Sequence, residues 1–463
     1  MINVAACCYG NDFFAVLKAA DNTSGIMTID AITLQDFSFF KGNRNIFSLI
    51  NRCTTQAGAE VLRRHIMRPP HKFEDLQEYQ SGVKFWMQHS EAWPEIISNG
   101  TLIMIEKFYE TPEAGSFRPN TIAIAINSLA QKLLHKSDSS FIRFSVSHLV
   151  DFLKGCRQLT GLLEEHPPKP VRQELEYMNQ TLDLPLCTSL LLCDQHTSQK
   201  NILLLSYRAR REMKHIVQQM TAAYARLDAM QSLARAGAAH RWVMPELLPS
   251  SALQYSCRKL SHPLLQQPVS YDIDFTETQH FLFLTGANMS GKSTLLRSLG
   301  IGAVLAHIGM AVPAECMRIS FLEGIISNMQ VEDDILKGES YFFAEVSRMK
   351  LTAEKLSKSS YHLVLMDELF KGTNVHDAYE CTNAVVEGLQ TQKRNLLALS
   401  THLYELAARL QSKPGMIFRY FHTAIDPDGH YHFTYQLKEG ISNDRIGFLV
   451  LKKEGILDLL KRS

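Results

Sequence analysis

The fold of the second half of this 463-residue chain is decided by the stretch Phe281-Leu282-Phe283-Leu284-Thr285-Gly286-Ala287-Asn288-Met289-Ser290-Gly291-Lys292-Ser293-Thr294. Its first four residues are apolar and predict a buried strand, and the residues after Gly291 predict a helix. The turn between them has the pattern Gly-x-x-x-x-Gly-Lys-Ser. A strand, this glycine-rich turn and a helix are typical of a loop that binds the phosphates of a nucleotide.

Each residue type in this loop suits the binding of ATP with Mg²⁺. The glycines allow the backbone to curl so that successive N–H groups point inward, and the positive end of the helix adds to their attraction for phosphate. Lys292 is expected to reach the β- and γ-phosphates, and the Ser293 hydroxyl is expected to bind Mg²⁺. The predicted nucleotide-binding residues are Gly286, Ala287, Asn288, Met289, Ser290, Gly291, Lys292, Ser293 and Thr294.

Two further strands are expected to bring two acids and a histidine to the same edge of the sheet. The apolar run 362–366 ends in Asp367 and Glu368, and His402 follows soon after the run 395–400. In a sheet of this kind the carboxyl ends of the strands face the ligand. We therefore predict that Asp367 holds Mg²⁺, that Glu368 orients and deprotonates the attacking water, and that His402 senses the γ-phosphate.

The composition is that of an ordinary globular protein and not of a general nucleic-acid binder. The chain is 45% hydrophobic and 21% charged, with a net charge of +1, so any DNA-binding surface must come from local patches. The nine cysteines include no Cys-x-x-Cys pair, which indicates reduced thiols. No secretory signal is present, and the most apolar window, 299–314, is too short for a membrane span. We predict a cytoplasmic protein without a membrane partner.

The residues before the phosphate loop indicate a helical domain. We predict a short N-terminal segment over 1–26, an α-helical core and lever domain over 27–245, and an α/β P-loop ATPase domain over 246–463. In 202–233 apolar residues recur every three or four positions without Pro or Gly, which predicts one helix about 48 Å long. Basic residues on its polar faces fit either a solvated surface or a contact with DNA: Arg208, Arg210, Arg211 and Lys214.

With these residues in place, the chain resembles the MutS family of DNA mismatch-repair ATPases. The resemblance rests on three stretches, namely the phosphate loop 285–294, Leu365-Met366-Asp367-Glu368-Leu369 with Gly372-Thr373, and the histidine switch Ser400-Thr401-His402. Lesser similarities occur at His262-Pro263, at Gly338-Glu339-Ser340-Tyr341-Phe342 with Glu345, and at Leu49-Ile50-Asn51-Arg52 through Arg68-Pro69.

This resemblance implies an ABC-type ATPase domain that forms a homodimer with ATP between its two copies. Ser340 would then reach the γ-phosphate bound by the other subunit. The helix 202–233 would act as a lever that joins the ATPase domain to DNA. The implied partners are duplex, mismatched or branched DNA and a second copy of this chain.

The chain also departs from the family pattern. Family members that read mismatches carry an N-terminal mismatch-binding domain and a connector domain, and residues 1–26 are too few for either. Phe108-Tyr109-Glu110 matches the letters of the family's Phe-x-Glu motif, but it lies in the helical core, and we interpret the match as a coincidence. The phenylalanine that stacks on adenine is not found between Pro268 and Phe275. These departures favour retained hydrolysis over retained mismatch recognition.

Two alternatives belong to other classes. One is a nucleotide-switched scaffold that recruits partners without recognising mismatches, which would fit the near-neutral charge. The other is the head of a different ABC-type ATPase, such as a chromosome-organising protein. In that class the coiled coil is far longer and is inserted within the head, whereas here the helix 202–233 precedes the phosphate loop.

Overall fold

The computed structural model describes residues 27–111, 136–329, 340–358, 361–426 and 431–442, which form two compact units. The sheet unit contains the described residues of Met1–Leu49, His65–Gln77 and Ala239–Ser463. The helical unit contains those of Ile50–Arg64 and Glu78–Ala238. This division differs from a single boundary at residue 245, because two early segments belong to the sheet unit. The predicted segment 1–26 lies outside the described residues.

Helices make up most of the described chain before residue 245. In chain order the helices are α1 Ala31–Asp36, α2 Ile46–Ile50, α3 Gln56–Met67, α4 Phe73–Gln88, α5 Asn99–Glu110, α6 Lys136–Thr160, α7 Lys169–Leu182, α8 Pro185–Leu191, α9 Gln199–Glu212, α10 Lys214–Ala239, α11 Lys292–His307, α12 Tyr341–Lys358, α13 Val375–Gln390 and α14 Tyr404–Leu410. Short 3₁₀ turns occur at Ser90–Ala92, Gly161–Glu165 and Ser250–Ala252. In the described part of the chain, no helix combines the length and apolar character needed to cross a membrane.

The strands belong to two sheets of the sheet unit, so the prediction of a mixed fold of helices and sheets is confirmed. They are β1 Thr28–Ile29, β2 Glu246–Leu248, β3 Tyr255–Leu260, β4 Tyr271–Phe275, β5 Phe281–Thr285, β6 Cys316–Ser320, β7 Gly324–Asn328, β8 His362–Asp367, β9 Leu396–Ser400, β10 Met416–Ile425 and β11 Tyr431–Glu439.

Among the described residues, the larger sheet has seven strands in the order β1-β7-β8-β9-β5-β10-β11. All its neighbours are parallel except β10 and β11. Every residue of β5, β7 and β9 is buried, as expected for parallel strands covered on both faces. The four-stranded sheet has the order β2-β6-β3-β4. The parallel arrangement places the carboxyl ends of β5, β8 and β9 at one edge of the larger sheet, where ligands bind in such folds.

Two elements near the start of the described chain complete the sheet unit. β1 pairs in parallel with β7, with Thr28 opposite Gly324, and α1 follows it directly. Asp36, at the end of α1, is only 2% exposed. Its Oδ2 atom accepts hydrogen bonds from the Ser327 hydroxyl at 2.7 Å and from Arg348 Nη2 at 2.6 Å. Burial raises the pKa of Asp36, although the Arg348 charge opposes that effect.

Arg348→Ala is expected to destabilise the sheet unit strongly. The Asp36 carboxylate would stay buried without its cation, and breaking a buried pair from one side costs about 3–5 kcal/mol. Urea unfolding measures this free energy. The control is Arg409→Ala, which removes an exposed ion pair with Glu387 and is expected to cost less than about 1 kcal/mol. Equal losses of unfolding free energy in both variants would show that the ion pair between Asp36 and Arg348 does not stabilise the sheet unit strongly.

The prediction of one continuous helix over 202–233 is wrong, because the segment forms two helices. α9 ends at Glu212 and α10 begins at Lys214, with Met213 between them. Met213 has φ −114° and ψ −5°, which departs from helical geometry. Its side chain is nevertheless buried, and its N–H still bonds the Ala209 carbonyl at 3.0 Å. The apolar spacing therefore continues through the break, and no glycine or proline marks it.

The arginines next to this break make contacts within the helical unit. Arg208 pairs with Glu212 at an Nε–Oε1 distance of 3.0 Å. The Arg210 guanidinium carbon lies 4.2 Å from the centroid of the Phe108 ring, and Phe108 is fully buried in α5. These contacts favour a structural role for the two arginines, and they agree with the interpretation that the motif match at Phe108 is a coincidence.

The helical unit also contains a buried carboxylate that fastens two of its elements. Asp228 of α10 is fully buried and accepts the backbone N–H groups of Thr54 and Thr55, both at 2.9 Å. The Thr55 hydroxyl donates to the same carboxylate at 2.7 Å. Burial raises the pKa of Asp228, while these donors oppose the shift. The carboxylate thus joins α10 to the residues that precede α3.

Candidate nucleotide site

The glycine-rich turn forms a tight loop between β5 and α11. Gly286 has φ +138° and Gly291 has φ +111°, in the left-handed region that favours glycine. A Cβ atom built on Gly286 would lie 3.1 Å from the Ser290 hydroxyl oxygen and 3.2 Å from the Phe421 carbonyl oxygen. Residue 286 therefore requires glycine for its conformation and for the space around it.

Lys292 begins α11 and is only 5% exposed. Its ammonium donates hydrogen bonds to the carbonyl oxygens of Gly286 and Ala287, both at 2.9 Å. Burial lowers the pKa of Lys292 to about 8, although the carboxylates of Glu368 and Asp367 partly oppose that effect. A desolvated cation at the start of a helix attracts anions, so this position suits a phosphate group.

Ser290 gives an independent indication that the loop fits a polar ligand. Its hydroxyl oxygen is buried and has no hydrogen-bond partner among the described residues. A buried hydroxyl without a partner is uncommon, because it has lost its bonds to water. Around it, Asn288 and Met289 are exposed at the tip of the loop, and Ser293 and Thr294 are half-buried in the first turn of α11. The residue types present therefore fit a nucleotide phosphate.

The predicted Mg²⁺ ligands are few, and their chemistry fits that ion. Ser293 and Asp367 offer a hydroxyl and a carboxylate, which are oxygen donors of the kind that Mg²⁺ prefers. Across the described ranges, no group of three or more His, Cys, Asp and Glu residues could hold a metal by itself. This donor set suits Mg²⁺, which commonly takes one or two protein ligands together with phosphate and water.

Hydrogen bonds join the ends of the three strands that carry the site. Asp367 of β8 lies opposite Ser400 of β9, and the Ser400 hydroxyl donates to Asp367 Oδ1. The Glu368 N–H donates to the Ser400 carbonyl at 2.9 Å. The Thr401 N–H donates to the Leu284 carbonyl of β5 at 3.0 Å. These bonds hold both acids beside the strand that leads into the phosphate loop.

Each carboxylate oxygen of Glu368 contacts a side-chain nitrogen. Its Oε1 atom lies 2.7 Å from His402 Nε2, and its Oε2 atom lies 3.2 Å from Lys371 Nζ. Burial raises the pKa of Glu368, but the His402 hydrogen bond and the Lys371 charge outweigh it and lower the pKa to about 2. His402 Nε2 also lies 3.3 Å from Lys292 Nζ. The structure thus brings Lys292, Glu368 and His402 into one cluster.

Ser340 lies outside that cluster. It is exposed and immediately precedes α12, where its hydroxyl accepts a hydrogen bond from the Phe343 N–H at 3.3 Å. Its carbonyl accepts the Ala344 N–H at 3.0 Å. These bonds are local to the helix, and the neighbouring Gly338 and Glu339 of the resemblance fall outside the described residues.

An aromatic side chain that was not predicted from the sequence lies beside the phosphate loop. Tyr435 of β11 is 42% exposed and has a left-handed backbone, with φ +52°. A Cβ atom built on Gly291 would lie 3.4 Å from the Phe421 ring and 3.5 Å from the Tyr435 ring. The available signal was the alternation of Tyr431, Phe433 and Tyr435, which places three aromatic residues on one face of a strand.

Part of the sheet unit is similar in sequence to a known protein family. Residues 282–460 match the protein family MutS domain V. The DNA mismatch repair protein MutS 1 of Halobacterium salinarum is 30% identical over 248 residues, which are 53% of this chain and 28% of that protein. The DNA mismatch repair protein MutS of Roseiflexus castenholzii is 32% identical over 241 residues, or 50% of this chain and 22% of that protein.

A third relative gives the same picture. The DNA mismatch repair protein MutS of Pelotomaculum thermopropionicum is 32% identical over 259 residues, which are 54% of this chain and 29% of that protein. The chain thus covers less than a third of each of these three relatives. The match of residues 282–460 to MutS domain V, together with relatives at 30–32% identity over about half of the chain, supports a MutS-family protein.

Proposed function

We propose that this chain is a Mg²⁺-dependent ATPase of the MutS type that couples hydrolysis to DNA. The observation that supports it most directly is the cluster at the sheet edge. His402 Nε2 lies 2.7 Å from the Glu368 carboxylate and 3.3 Å from the Lys292 ammonium. One lysine, one acid and one histidine meet where the phosphate loop ends, and a cation beside the phosphates with a residue that orients the attacking water is an arrangement that promotes hydrolysis of a phosphate anhydride.

Nucleotide binding would begin at the loop between Gly286 and Thr294. Lys292 donates to two loop carbonyls in this structure, so its ammonium would turn from them toward the β- and γ-phosphates. Ser293 and Asp367 would hold Mg²⁺, which neutralises phosphate charge when bound. The exposed ring of Tyr435 would offer an aromatic face to the adenine base of ATP.

Hydrolysis would use Glu368 to accept a proton from the attacking water. A carboxylate with a pKa of about 2 is a weak base at neutral pH. Because the contacts with His402 and Lys371 lower this pKa, they restrain Glu368 from acting as a base. If His402 turned toward the γ-phosphate, it would release Oε1, so sensing of the phosphate and freeing of the base would be one event.

The proposed action on DNA is drawn from the relatives, which are named as DNA mismatch repair proteins. We propose a homodimer formed through the ATPase domains, 246–463, in which Ser340 reaches the nucleotide of the partner subunit. The helical core and lever domain, 27–245, would move on duplex, mismatched or branched DNA as ATP is bound and hydrolysed.

Steady-state ATP hydrolysis by the purified chain tests this function, with no DNA and then with matched, mismatched and branched duplexes. We expect hydrolysis that requires Mg²⁺, rises with at least one of the DNAs, and loses this stimulation steeply as salt is raised. Stimulation by mismatched DNA alone would show that this chain recognises mismatches. Hydrolysis with no binding to any DNA would contradict the coupling and point to a nucleotide-switched scaffold.

The affinity for ATP is expected to fall as the pH rises above about 8, the pKa of Lys292 in the free protein. Bound phosphates favour the charged ammonium, so binding takes up a proton wherever the free Lys292 is neutral. The affinity should then fall about tenfold per pH unit. Calorimetry in buffers of different ionisation enthalpy counts this uptake. Equal uptake at pH 7 and pH 9 would contradict the role of Lys292.

A further inference from the structure

One buried carboxylate anchors the loop that follows Glu368 to α12. Glu345 is 8% exposed, and its two oxygens accept the backbone N–H groups of Lys371 at 3.1 Å and of Gly372 at 3.0 Å. Burying a carboxylate is unfavourable unless donors replace the lost water. Each oxygen of Glu345 has such a donor, and both donors belong to the loop.

The backbone of this loop needs support from outside. Glu368 has φ +55° and Phe370 has φ +60°, in the left-handed region that is unfavourable for residues with a Cβ atom. Such a conformation persists only where the surroundings hold it in place. The direction of the Glu368 side chain therefore depends on the contacts that hold this loop in its conformation.

The loop packs directly against the first turn of α12. A Cβ atom built on Gly372 would lie 2.7 Å from the backbone nitrogen of Phe342, so only glycine fits this approach. Phe370 is buried, and its ring centroid is 6.0 Å from that of Phe342. Ser340 immediately precedes the same turn. The Glu345 bonds and these packing contacts thus join the loop after Glu368 to the helix that begins next to Ser340.

We propose that Glu345 is a positioning residue for hydrolysis, which holds the loop 368–372 so that the Glu368 carboxylate faces the phosphate loop. The inference rests on the proposed ATPase function and adds a residue that does not touch the nucleotide. Glu345 bonds the loop backbone and has no part in the contacts of Lys292. Its loss should therefore reduce turnover and spare the binding of ATP.

The experiment compares Glu345→Ala and Glu345→Gln with wild type and with Glu354→Gln, which alters an exposed acid of the same helix. We expect kcat to fall about 100-fold in Glu345→Ala, the effect of displacing a catalytic group by about 1 Å. Glu345→Gln should lose less, because its amide oxygen still accepts one N–H group. The Kd of a fluorescent ATP analogue should stay within about threefold of wild type, and Glu354→Gln should match wild type throughout.

Glu368→Gln, assayed in parallel, separates the failure of the inference from the failure of the proposed function. If the wild-type chain hydrolyses ATP no faster than Glu368→Gln, the proposed function is wrong. If Glu368→Gln is inactive while Glu345→Ala and Glu345→Gln retain the wild-type kcat, only the inference about Glu345 is overturned. It is overturned equally if Kd rises in proportion to the loss of kcat, because Glu345 would then support the fold of the whole site.

Discussion

Glu368→Gln is expected to lower the kcat of ATP hydrolysis by about 10²- to 10⁴-fold, the usual contribution of a positioned general base. The amide keeps the size of the side chain but cannot accept a proton from the attacking water. ATP should still bind, because the hydrogen bonds of the Lys292 ammonium go to the loop carbonyls and not to Glu368. Single-turnover hydrolysis gives the chemical rate, and filter binding gives the affinity for ATP.

The matched control for this substitution is Glu380→Gln, which makes the same change at an exposed position of α13. It should hydrolyse ATP at the wild-type rate. A Glu368→Gln rate within about threefold of wild type would show that another group takes the proton. A variant that had lost both binding and turnover would show that Glu368 supports the loop and is not the base.

Lys292→Met is expected to weaken the binding of ATP by about 100-fold. The ammonium is the buried cation of the phosphate loop, and charge-assisted hydrogen bonds of this kind contribute about 1.5–3 kcal/mol. Methionine has a similar length and adapts to irregular apolar space, so the loop should keep its packing. Equilibrium titration with a fluorescent ATP analogue measures the loss.

The stability of Lys292→Met separates lost binding from lost folding. The pKa of Lys292 is lowered to about 8 by burial, which means that the charged ammonium at neutral pH opposes folding. Its removal should leave Tm unchanged or raise it. Lys350→Met, an exposed change on α12, should bind ATP as wild type does. A variant that bound ATP normally would remove Lys292 from the site.

The sequence predicts the centre of the fold well, because local chemistry specifies it. Apolar runs mark β5, β8 and β9, and the glycines and lysine between β5 and α11 specify both a turn and a ligand. The acids and the histidine were placed at the strand ends by the same argument, since parallel strands share their carboxyl edge. The structure brings these side chains to one edge and adds the distances between them.

Other features escaped prediction because they depend on contacts between distant segments. β1 contains two residues and exists only through its pairing with β7. Met213 separates α9 from α10, yet the spacing of the apolar residues continues through it. Glu345 belongs to a stretch that resembles the family, but its hydrogen bonds with the backbone of residues 371 and 372 are visible only in the structure. The sequence around these positions does not show which distant segments they contact.

The central claim is that the cluster of Lys292, Glu368 and His402 hydrolyses ATP. The most direct test is steady-state phosphate release by the purified wild-type chain, with Mg²⁺ and with EDTA, as ATP is raised to saturation. We predict saturable phosphate release that requires Mg²⁺ and is about 10²- to 10⁴-fold slower in the Glu368→Gln variant. Phosphate release no faster than that of Glu368→Gln, or release that persists in EDTA, would contradict the assignment.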